Sequence, residues 1–292
     1  MLAQQLFNGL ILGGLYALLA VGFSLIVGIL KMITFAHGEV FMAGAFAGLA
    51  ALGLFSPGVA LAAALPAAAG GAAILGAVTE LVAFRPFRRG PEMTPALITI
   101  GFSIILQALA LMLAGADTKP FPFNPDFGRW TAGGVVFSGL ELGIAGLALA
   151  ILAGLGLVIA RTDWGLALRA TAAHFQAAQL MGINTDRVVL SAFVLASGMA
   201  GIGGILFGAH YGAFYPLMGV VISMKALAAA TLGGIGNVGG AVVGALLLGL
   251  IESLVVGYVS ANYRDVIAFS ILILVILIRP AGILGRREEE KV

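Results

Sequence analysis

The 292-residue sequence contains no cysteine and few charged residues. Without cysteine, disulfides, thiolate metal sites and cysteine catalysis are excluded. Charged residues make up 10% of the chain, whereas a soluble domain carries roughly a quarter. The formal net charge is only +2, which gives no indication of nucleic-acid binding. The composition therefore excludes an ordinary soluble domain and a disulfide-stabilised one.

Apolar and small residues are abundant instead. Hydrophobic residues make up 61% of the chain, the mean hydropathy is +1.12, and 43 residues are glycine. A chain of this composition has lipid as its solvent, so its backbone polar groups must be satisfied within helices. Frequent glycine suits helices that pack closely in lipid. The composition predicts an all-α integral membrane protein with a single transmembrane domain over residues 1–292.

The apolar segments predict a bundle of about eight or nine transmembrane helices. The open question is whether Tyr211–Ile235, which contains Pro216 and Lys225, crosses the membrane fully or re-enters. No basic stretch precedes the first segment, which is long enough to span, so no cleavable signal peptide is predicted. The predicted spans are Leu6–Leu30, Val40–Phe55, a segment ending at Phe84, Ala96–Ala114, Leu142–Ala160, Val188–His210, Tyr211–Ala230, Ala241–Ser260 and Tyr263–Ile278.

The charges between the spans predict which loops are cytoplasmic, because cationic loops stay on that side. The long connection Asp117–Glu141 has three acidic residues against two cationic ones and is predicted to lie outside. Within it, Gly133-Gly134 before an apolar run predicts a small β-hairpin. The arginines that mark the predicted cytoplasmic side are Arg85, Arg88, Arg89, Arg161, Arg169 and Arg187.

Two stretches interrupt the apolar pattern in corresponding places of the two halves. Lys31–Glu39 contains three ionisable groups, which are costly at the centre of a bilayer. Gly233–Gly240 contains five glycines, each of which costs roughly 1 kcal/mol against alanine in a helix interior. Such backbone is tolerated only where it is buried in protein or lines a cavity. Both stretches are predicted to be broken or re-entrant and to approach each other at a transport site.

A polar interruption at Arg169–Asp186 predicts a short amphipathic helix on the cytoplasmic side. Phe175, Ala178 and Met181 share one narrow apolar face. Gly182 can end the helix, because glycine accepts a positive φ. The helix is too short to cross a bilayer, so it lies either on lipid headgroups or in a groove of another protein.

The spacing within this helix favours docking on a protein. Gln176-Ala177-Ala178 followed after three residues by Gly182 resembles the loop by which ABC-transporter permeases contact their ATP-hydrolysing subunit. One departure is that the first position is glutamine instead of glutamate. Residues Phe175–Gly182 are therefore predicted to form a cytoplasmic coupling helix.

Over nearly its whole length the chain resembles the permease subunits of branched-chain amino acid ABC importers. The run Phe35-Ala36-His37-Gly38-Glu39 is fairly specific to that family. The other matching residues are Asn8-Gly9, Tyr16-Ala17-Leu18, Arg169-Ala170, Ala177-Ala178, Leu180-Met181-Gly182-Ile183 and Gly233-Gly234 through Gly240.

The resemblance implies a heteromeric importer in the inner or plasma membrane of a bacterium or archaeon. A periplasmic or lipid-anchored binding protein delivers the substrate, this chain pairs with itself or with a second permease subunit, and separate subunits bind ATP. The chain itself then needs no cofactor, and its other partner is membrane lipid, not nucleic acid. Branched-chain or other small hydrophobic amino acids are the implied cargo. The alternative cargo is urea, short amides or another small polar solute, which similar permeases carry.

Two sets of residues are predicted to carry the function. The residues predicted to couple to the ATPase are Phe175, Gln176, Ala177, Ala178, Met181 and Gly182. The residues predicted to line the substrate path are Asn8, His37, Gly38, Glu39, Gly234, Asn237, Gly240 and Glu252. Asn237 has a second interpretation, which is that it satisfies broken backbone. Glu80, His210 and Lys225 stand near span ends and are interpreted as reaching the membrane interface.

Two other classes of function are weighed against an ABC permease. An intramembrane enzyme needs a converging nucleophile or metal set. His37 and Glu39 can both bind a metal, but two ligands do not close a site, so no metal or catalytic residue is predicted. A secondary transporter also uses broken helices but needs no docking helix. The chain has no GxxxxGK[ST] loop, so the energy for an ABC importer must come from other subunits.

Overall fold

The computed structural model of the chain describes residues 1–54, 57–88, 90, 93–122, 128–279 and 281–285. The parts of the sequence predictions that lie outside these ranges are Phe55 at a span end, Arg89 in a loop and residues 123–127 of the long connection. Within them the helices are α1 (Leu2–Leu30), α2 (His37–Leu54), α3 (Pro57–Val78, continued by a π-helical turn at Thr79–Phe84), α4 (Met93–Ala114), α5 (Gly139–Arg161), α6 (Asp163–Ala173), α7 (Phe175–Leu180), α8 (Thr185–Tyr211), α9 (Met218–Gly233), α10 (Val238–Tyr258) and α11 (Arg264–Ile278). The strands are β1 (Lys119–Pro120), β2 (Arg129–Ala132), β3 (Val135–Ser138) and β4 (Ala213–Phe214).

The bundle has two ends with different charges and loops. The arginine face is the end that carries Arg85, Arg88, Arg161, Arg169 and Arg187, and the hairpin face is the opposite end, which carries β2 and β3. α1 begins at the hairpin face, where the Gln4 side chain bonds the backbone N–H and C=O of Val136 at 2.8 and 3.2 Å. It ends at the arginine face, where Gly28 lies against Gly236 in the wall of a cavity that Arg169 also lines.

Eight of the described helices are long and apolar enough to cross a membrane, when α11 is counted together with the 3₁₀ turn Ala261–Tyr263 that precedes it, and this confirms an all-α multi-pass membrane protein. α9 is shorter, because its 16 residues extend about 24 Å, less than a hydrocarbon core of roughly 30 Å. It still joins the two faces. The segment before it forms β4, which pairs with β1 at the hairpin face, and Leu232 near its end accepts the N–H of Ile283 at the arginine face at 2.9 Å. The predicted segment Tyr211–Ala230 therefore crosses as an unwound entry followed by a short helix.

α1 runs through the middle of the bundle. Of the residues in its most apolar stretch, 89% are buried inside the protein, and α1 packs against α5, α8, α9 and α10. α4, α5 and α11 form an outer layer, with only 17%, 17% and 6% of the corresponding residues buried. The surfaces of these three helices are therefore left for lipid or for a second protein.

Glycines hold α1 and α10 in close contact. A Cβ on Gly9 or on Gly13 would lie 2.7 Å from a Cα atom of α10, and a Cβ on Gly249 would overlap the backbone of Gly13. Lipid provides no hydrophobic force between helices, so stability depends on this close approach. This close contact of α1 with α10, called the seam below, explains why small residues recur along both helices.

Replacing Gly249 by valine is expected to destabilise the protein by about 1–3 kcal/mol, because the added atoms force α1 and α10 apart. Gly154 on α5 is a matched control, since a Cβ there would meet nothing within 4 Å. Thermal unfolding of both variants in detergent measures the difference. Equal midpoints for Gly249→Val and Gly154→Val would show that the seam contributes nothing.

The predicted hairpin in the long connection is confirmed. β2 and β3 pair antiparallel, with Ala132 opposite Val135. The two residues between them, Gly133 and Gly134, have φ angles of 60° and 77°. Two positive φ values are the requirement of a two-residue turn that matches strand twist, and glycine meets it without steric cost.

Candidate functional site

The helix predicted within Arg169–Asp186 is present as two helices, α6 and α7, that meet at His174. This residue is extended, with φ −155° and ψ 101°, and its Nδ1 accepts the backbone N–H of Ala177 at 3.3 Å. Such a bond satisfies one of the free N–H groups at a helix start, so α7 begins anew after His174. Gly182 follows α7 with φ 85°, which confirms its predicted role as the helix end.

The apolar side of α7 is divided between the protein interior and the outside. Ala178 is only 4% exposed, and its carbonyl accepts the N–H of Ile183 at 3.0 Å. Phe175 is half-buried. Phe175, Ala178 and Met181 therefore do not form one exposed face, because the bundle itself covers the first two. The large apolar side chains exposed here are Leu166 (60%), Leu180 (89%) and Met181 (83%). The other predicted coupling residues, Gln176, Ala177 and Gly182, are exposed.

A network of charged side chains lies beside α7 at the arginine face. Glu80, in the π-helical turn after α3, is fully buried, and each of its oxygens lies 3.0 Å from the guanidinium of Arg85. Arg88 lies 4.0 Å from Glu80 and also pairs with Asp186 at the start of α8. Its guanidinium carbon is 5.7 Å from the ring centre of Phe175. The interpretation that Glu80 reaches the interface is wrong, because two arginines neutralise it inside the protein.

A cavity of about 690 Å³ separates α7 from the end of α1. The cations Lys31 and Arg88 line it together with side chains of α6 and α7. α7 is anchored near its two ends, by the contact of Arg88 with Phe175 and by a hydrogen bond of 2.8 Å from Gln179 to Thr185. The helix therefore meets the bundle through a few polar and aromatic contacts.

The first predicted break is present between α1 and α2. α1 ends at Leu30, Lys31 has φ 57°, and the helical conformation resumes only at His37. α2 begins inside the bundle and not at its edge. The His37 ring lies against Gly22, about two helical turns before the end of α1, and 4.9 Å from the ring of Phe23.

Glu39 lies in the first turn of α2 and is 1% exposed. One of its oxygens accepts hydrogen bonds from Gln107 at 2.9 Å and from Ser103 at 3.2 Å. The neighbouring Gly38 packs backbone to backbone against Gly219 in the first turn of α9. The starts of α2 and α9, which come from opposite faces, therefore meet inside the protein, and Glu39 lies at this junction.

The second predicted break, between α9 and α10, is a turn at the arginine face. Gly234 and Gly236 have positive φ angles of 112° and 84°. The Asn237 side chain accepts the N–H of Gly240 at 3.0 Å and donates to the carbonyl of Leu284 at 2.9 Å. Asn237 thus caps α10 and satisfies the interrupted backbone, as its second interpretation proposes.

A second group of charges is buried where α1, α9, α10 and α11 meet. Glu252 is 1% exposed and accepts hydrogen bonds from the Tyr16 hydroxyl and from Lys225, both at 2.9 Å. The Arg264 guanidinium lies 3.0 Å from the same carboxylate, and Lys225 lies 2.7 Å from Asp265. Lys225 is 2% exposed, so the interpretation that it reaches the interface is wrong.

Sequence reasoning missed Tyr16, Arg264 and Asp265 as members of this group. One signal was present, since Arg264 and Asp265 are adjacent opposite charges at the start of an apolar span. Charges in that position need partners, and Glu252 and Lys225 are the charges of the two preceding apolar helices.

The structure places the predicted path residues in four separate groups. Asn8 lines a cavity of about 590 Å³ at the hairpin face, together with His210. His37, Gly38 and Glu39 lie at the α2–α9 junction, Glu252 lies in the buried charge group, and Gly234–Gly240 lie at the arginine face. Lys31 of the first break and Ile235–Gly239 of the second line one cavity of about 840 Å³ at the arginine face, whereas His37–Glu39 lie apart from it at the α2–α9 junction.

Comparison with protein families gives a match over most of the chain. Residues 5–276 match the family described as branched-chain amino acid transport system / permease component. This match includes the whole of every span described above except the first residues of α1 and the last residues of α11.

Individual relatives agree with the family match. The chain is 40% identical to the high-affinity branched-chain amino acid transport system permease protein BraD of Pseudomonas aeruginosa and 39% identical to LivH of Escherichia coli, in each case over 99% of this chain and 97% of the relative. It is 29% identical to a probable branched-chain amino acid permease of Methanocaldococcus jannaschii over 95% of this chain and 91% of the relative. A permease of the autoinducer 2 import system of Salmonella paratyphi B is 37% identical over only 47% of this chain.

Proposed function

Because the chain belongs to the family of permease components of branched-chain amino acid transport systems, we propose that it is the transmembrane subunit of an ABC importer. In this proposal the chain forms one transmembrane domain in the inner or plasma membrane, with the arginine face in the cytoplasm. It catalyses no reaction itself. ATP is bound and hydrolysed by partner subunits, and the chain holds no cofactor.

The observation that carries this proposal is the exposed end of α7. Leu180 and Met181 are 89% and 83% exposed at the face whose arginines mark it as cytoplasmic. Apolar side chains exposed together at such an end indicate a surface that another protein covers. We assign the contact with the ATPase to Gln176, Ala177, Leu180, Met181 and Gly182, while Phe175 and Ala178 hold α7 on the bundle.

The other partners are proposed from the remaining surfaces. Part of the outer layer of α4, α5 and α11 contacts lipid, and another part contacts the second permease subunit. That subunit is either a second copy of this chain or a different permease. The hairpin face lies outside, where a periplasmic or lipid-anchored binding protein delivers the substrate. No surface of the protein is proposed to bind nucleic acid.

Branched-chain amino acids are the proposed cargo. The relatives whose names state this cargo match along 91–97% of their own length, whereas the autoinducer 2 permease matches along 42%. We propose that the path runs from the cavity beside Asn8, past the α2–α9 junction at His37–Glu39, to Gly234–Gly240 at the cytoplasmic end. Glu252 is assigned to holding α11 and not to touching cargo.

Reconstitution tests the proposed function. The permease is placed in liposomes with its partner permease, the ATPase subunits inside and the binding protein outside. Uptake of radiolabelled leucine, isoleucine and valine is expected to require both ATP and the binding protein, while urea and acetamide compete poorly. Uptake of leucine without ATP would indicate a secondary transporter, and preferential uptake of urea would replace the proposed cargo.

A further inference from the structure

Arg88 is the residue at which three elements of the arginine face converge. Its guanidinium contacts Phe175 at the start of α7, Asp186 in the first turn of α8, and Glu80 in the π-helical turn after α3. The Arg88 side chain is only 8% exposed, although it carries a full charge. A buried arginine that bonds one carboxylate, lies 4.0 Å from a second and contacts an aromatic ring fixes the relative positions of these groups.

The backbone that carries Arg88 is hydrogen-bonded to the π-helical turn before it. The N–H of Arg85 bonds the carbonyl of Glu80 at 2.6 Å, and the N–H of Arg88 bonds the carbonyl of Phe84 at 3.0 Å. Phe84 is fully buried, and its ring lies 5.5 Å from that of Phe193 on α8. A π-helical turn is rare and is frequent at functional sites. A displacement that reaches Arg88 is therefore passed to α3 and α8 together.

α8 continues this connection into the core. Gly201 on α8 lies in backbone contact with Ala68 of α3, and Gly204 lies in backbone contact with Phe41 of α2. α2 starts at the junction with α9, where Glu39 lies. A continuous set of packed elements thus leads from α7 through Arg88 and α8 to the proposed substrate path.

We propose that Arg88 is a positioning residue that couples the docking helix α7 to α3 and α8. Its role is to convert ATP hydrolysis into transport and not to bind the ATPase, since its side chain is covered by the permease itself. This inference rests on the proposed function. It adds a specific linkage between the docked helix and the helices that lead to the path.

The test compares Arg88→Met with Arg187→Gln in the complete complex reconstituted in liposomes. Arg187 is an exposed arginine next to Asp186, so its replacement removes the same charge from the same face without touching α7. Leucine uptake and ATP hydrolysis are measured in the same sample. Arg88→Met is expected to leave complex assembly and ATP hydrolysis intact and to lower uptake per ATP by about tenfold, within the range of measured coupling between sites. Arg187→Gln is expected to behave as the unmodified protein.

Two further variants separate positioning from a general structural role. Arg88→Lys keeps the pairing with Asp186 but loses the planar fork, so it is expected to restore part of the uptake per ATP. Phe175→Leu keeps the apolar packing of α7 but removes the contact with the guanidinium, so it is expected to lower the same ratio. This variant takes the place of Arg88→Met in the test if Arg88→Met does not fold. An unchanged ratio in the folded variants would overturn the inference, as would a complex that fails to assemble with Phe175→Leu. Absence of leucine uptake by the unmodified complex would instead contradict the proposed function.

Discussion

Glu252→Gln is expected to destabilise the permease by about 3 kcal/mol or more, because it removes the buried carboxylate that Lys225 and Arg264 share and leaves both cations with one partly exposed carboxylate. Glutamine keeps the shape of glutamate but removes the negative charge that Lys225 and Arg264 approach to 2.9 and 3.0 Å. Asp265 remains as the one acidic group of the cluster, and it is 55% exposed. Lys225, the more deeply buried of the two cations, then depends on Asp265 alone.

A second variant restores the balance of charge in this cluster. Lys225→Met combined with Glu252→Gln removes one cation and one anion, so Arg264 and Asp265 remain as an opposite pair. We expect the double variant to be more stable than Glu252→Gln alone, since removing both members of a buried ion pair leaves no buried charge uncompensated.

Thermal unfolding in detergent measures these differences. Glu141→Gln is the matched control, because Glu141 caps α5 and glutamine can occupy the same capping position. The control is expected to shift stability by less than about 1 kcal/mol. If Glu252→Gln unfolds at the same temperature as Glu141→Gln, the buried charge cluster does not stabilise the fold.

Arginine at Leu180 or Met181 is expected to abolish most of the ATP-driven uptake. These side chains are exposed at the C-terminal end of α7, so a long cation there leaves the permease fold intact and overfills the surface proposed to contact the ATPase. Loss of a central interface contact costs about 2 kcal/mol or more, which corresponds to an affinity loss of at least about thirtyfold. Ala178→Arg is not a suitable test, because Ala178 is 4% exposed and the change would disturb the permease itself.

The alternative for α7 is that it rests on lipid headgroups. Arginine is well tolerated there, since its stem stays in the apolar layer and its charge reaches the headgroups. Uptake by Leu180→Arg and Met181→Arg would then remain near that of Thr118→Arg, which places the same charge on an exposed residue at the hairpin face. Uptake assays with equal amounts of assembled protein distinguish the two positions of the helix.

Local features of the fold could be predicted from the sequence. The hairpin turn at Gly133-Gly134 and the helix end at Gly182 follow from the φ values that glycine accepts. The breaks after Leu30 and at Gly234 follow from the cost of charge and of glycine within an apolar helix. Each of these conclusions depends on a few neighbouring residues, and the structure confirms them.

Contacts between distant residues could not be predicted in the same way. Lys225 and Glu252 are 27 residues apart, and nothing local shows that they meet inside the bundle. The periodicity of α7 shows an apolar side, but it does not show that the bundle covers Ala178 and leaves Met181 exposed. The sequence also does not show that α2 begins inside the bundle. The stretch before His37 that returns into the bundle is unwound, so it has no helical apolar pattern.

Crosslinking from a single introduced cysteine tests most directly the central claim, that the exposed end of α7 docks on the ATPase. The chain has no native cysteine, so Met181→Cys places a unique thiol on α7 and Thr118→Cys places one at the hairpin face. Each variant is assembled with the ATPase subunits and treated with a short thiol–amine crosslinker, and the products are identified by mass spectrometry. The account predicts that Met181→Cys links to the ATPase and that Thr118→Cys does not. An assembled complex in which Met181→Cys gives no ATPase product, or in which Thr118→Cys gives the stronger one, would contradict it.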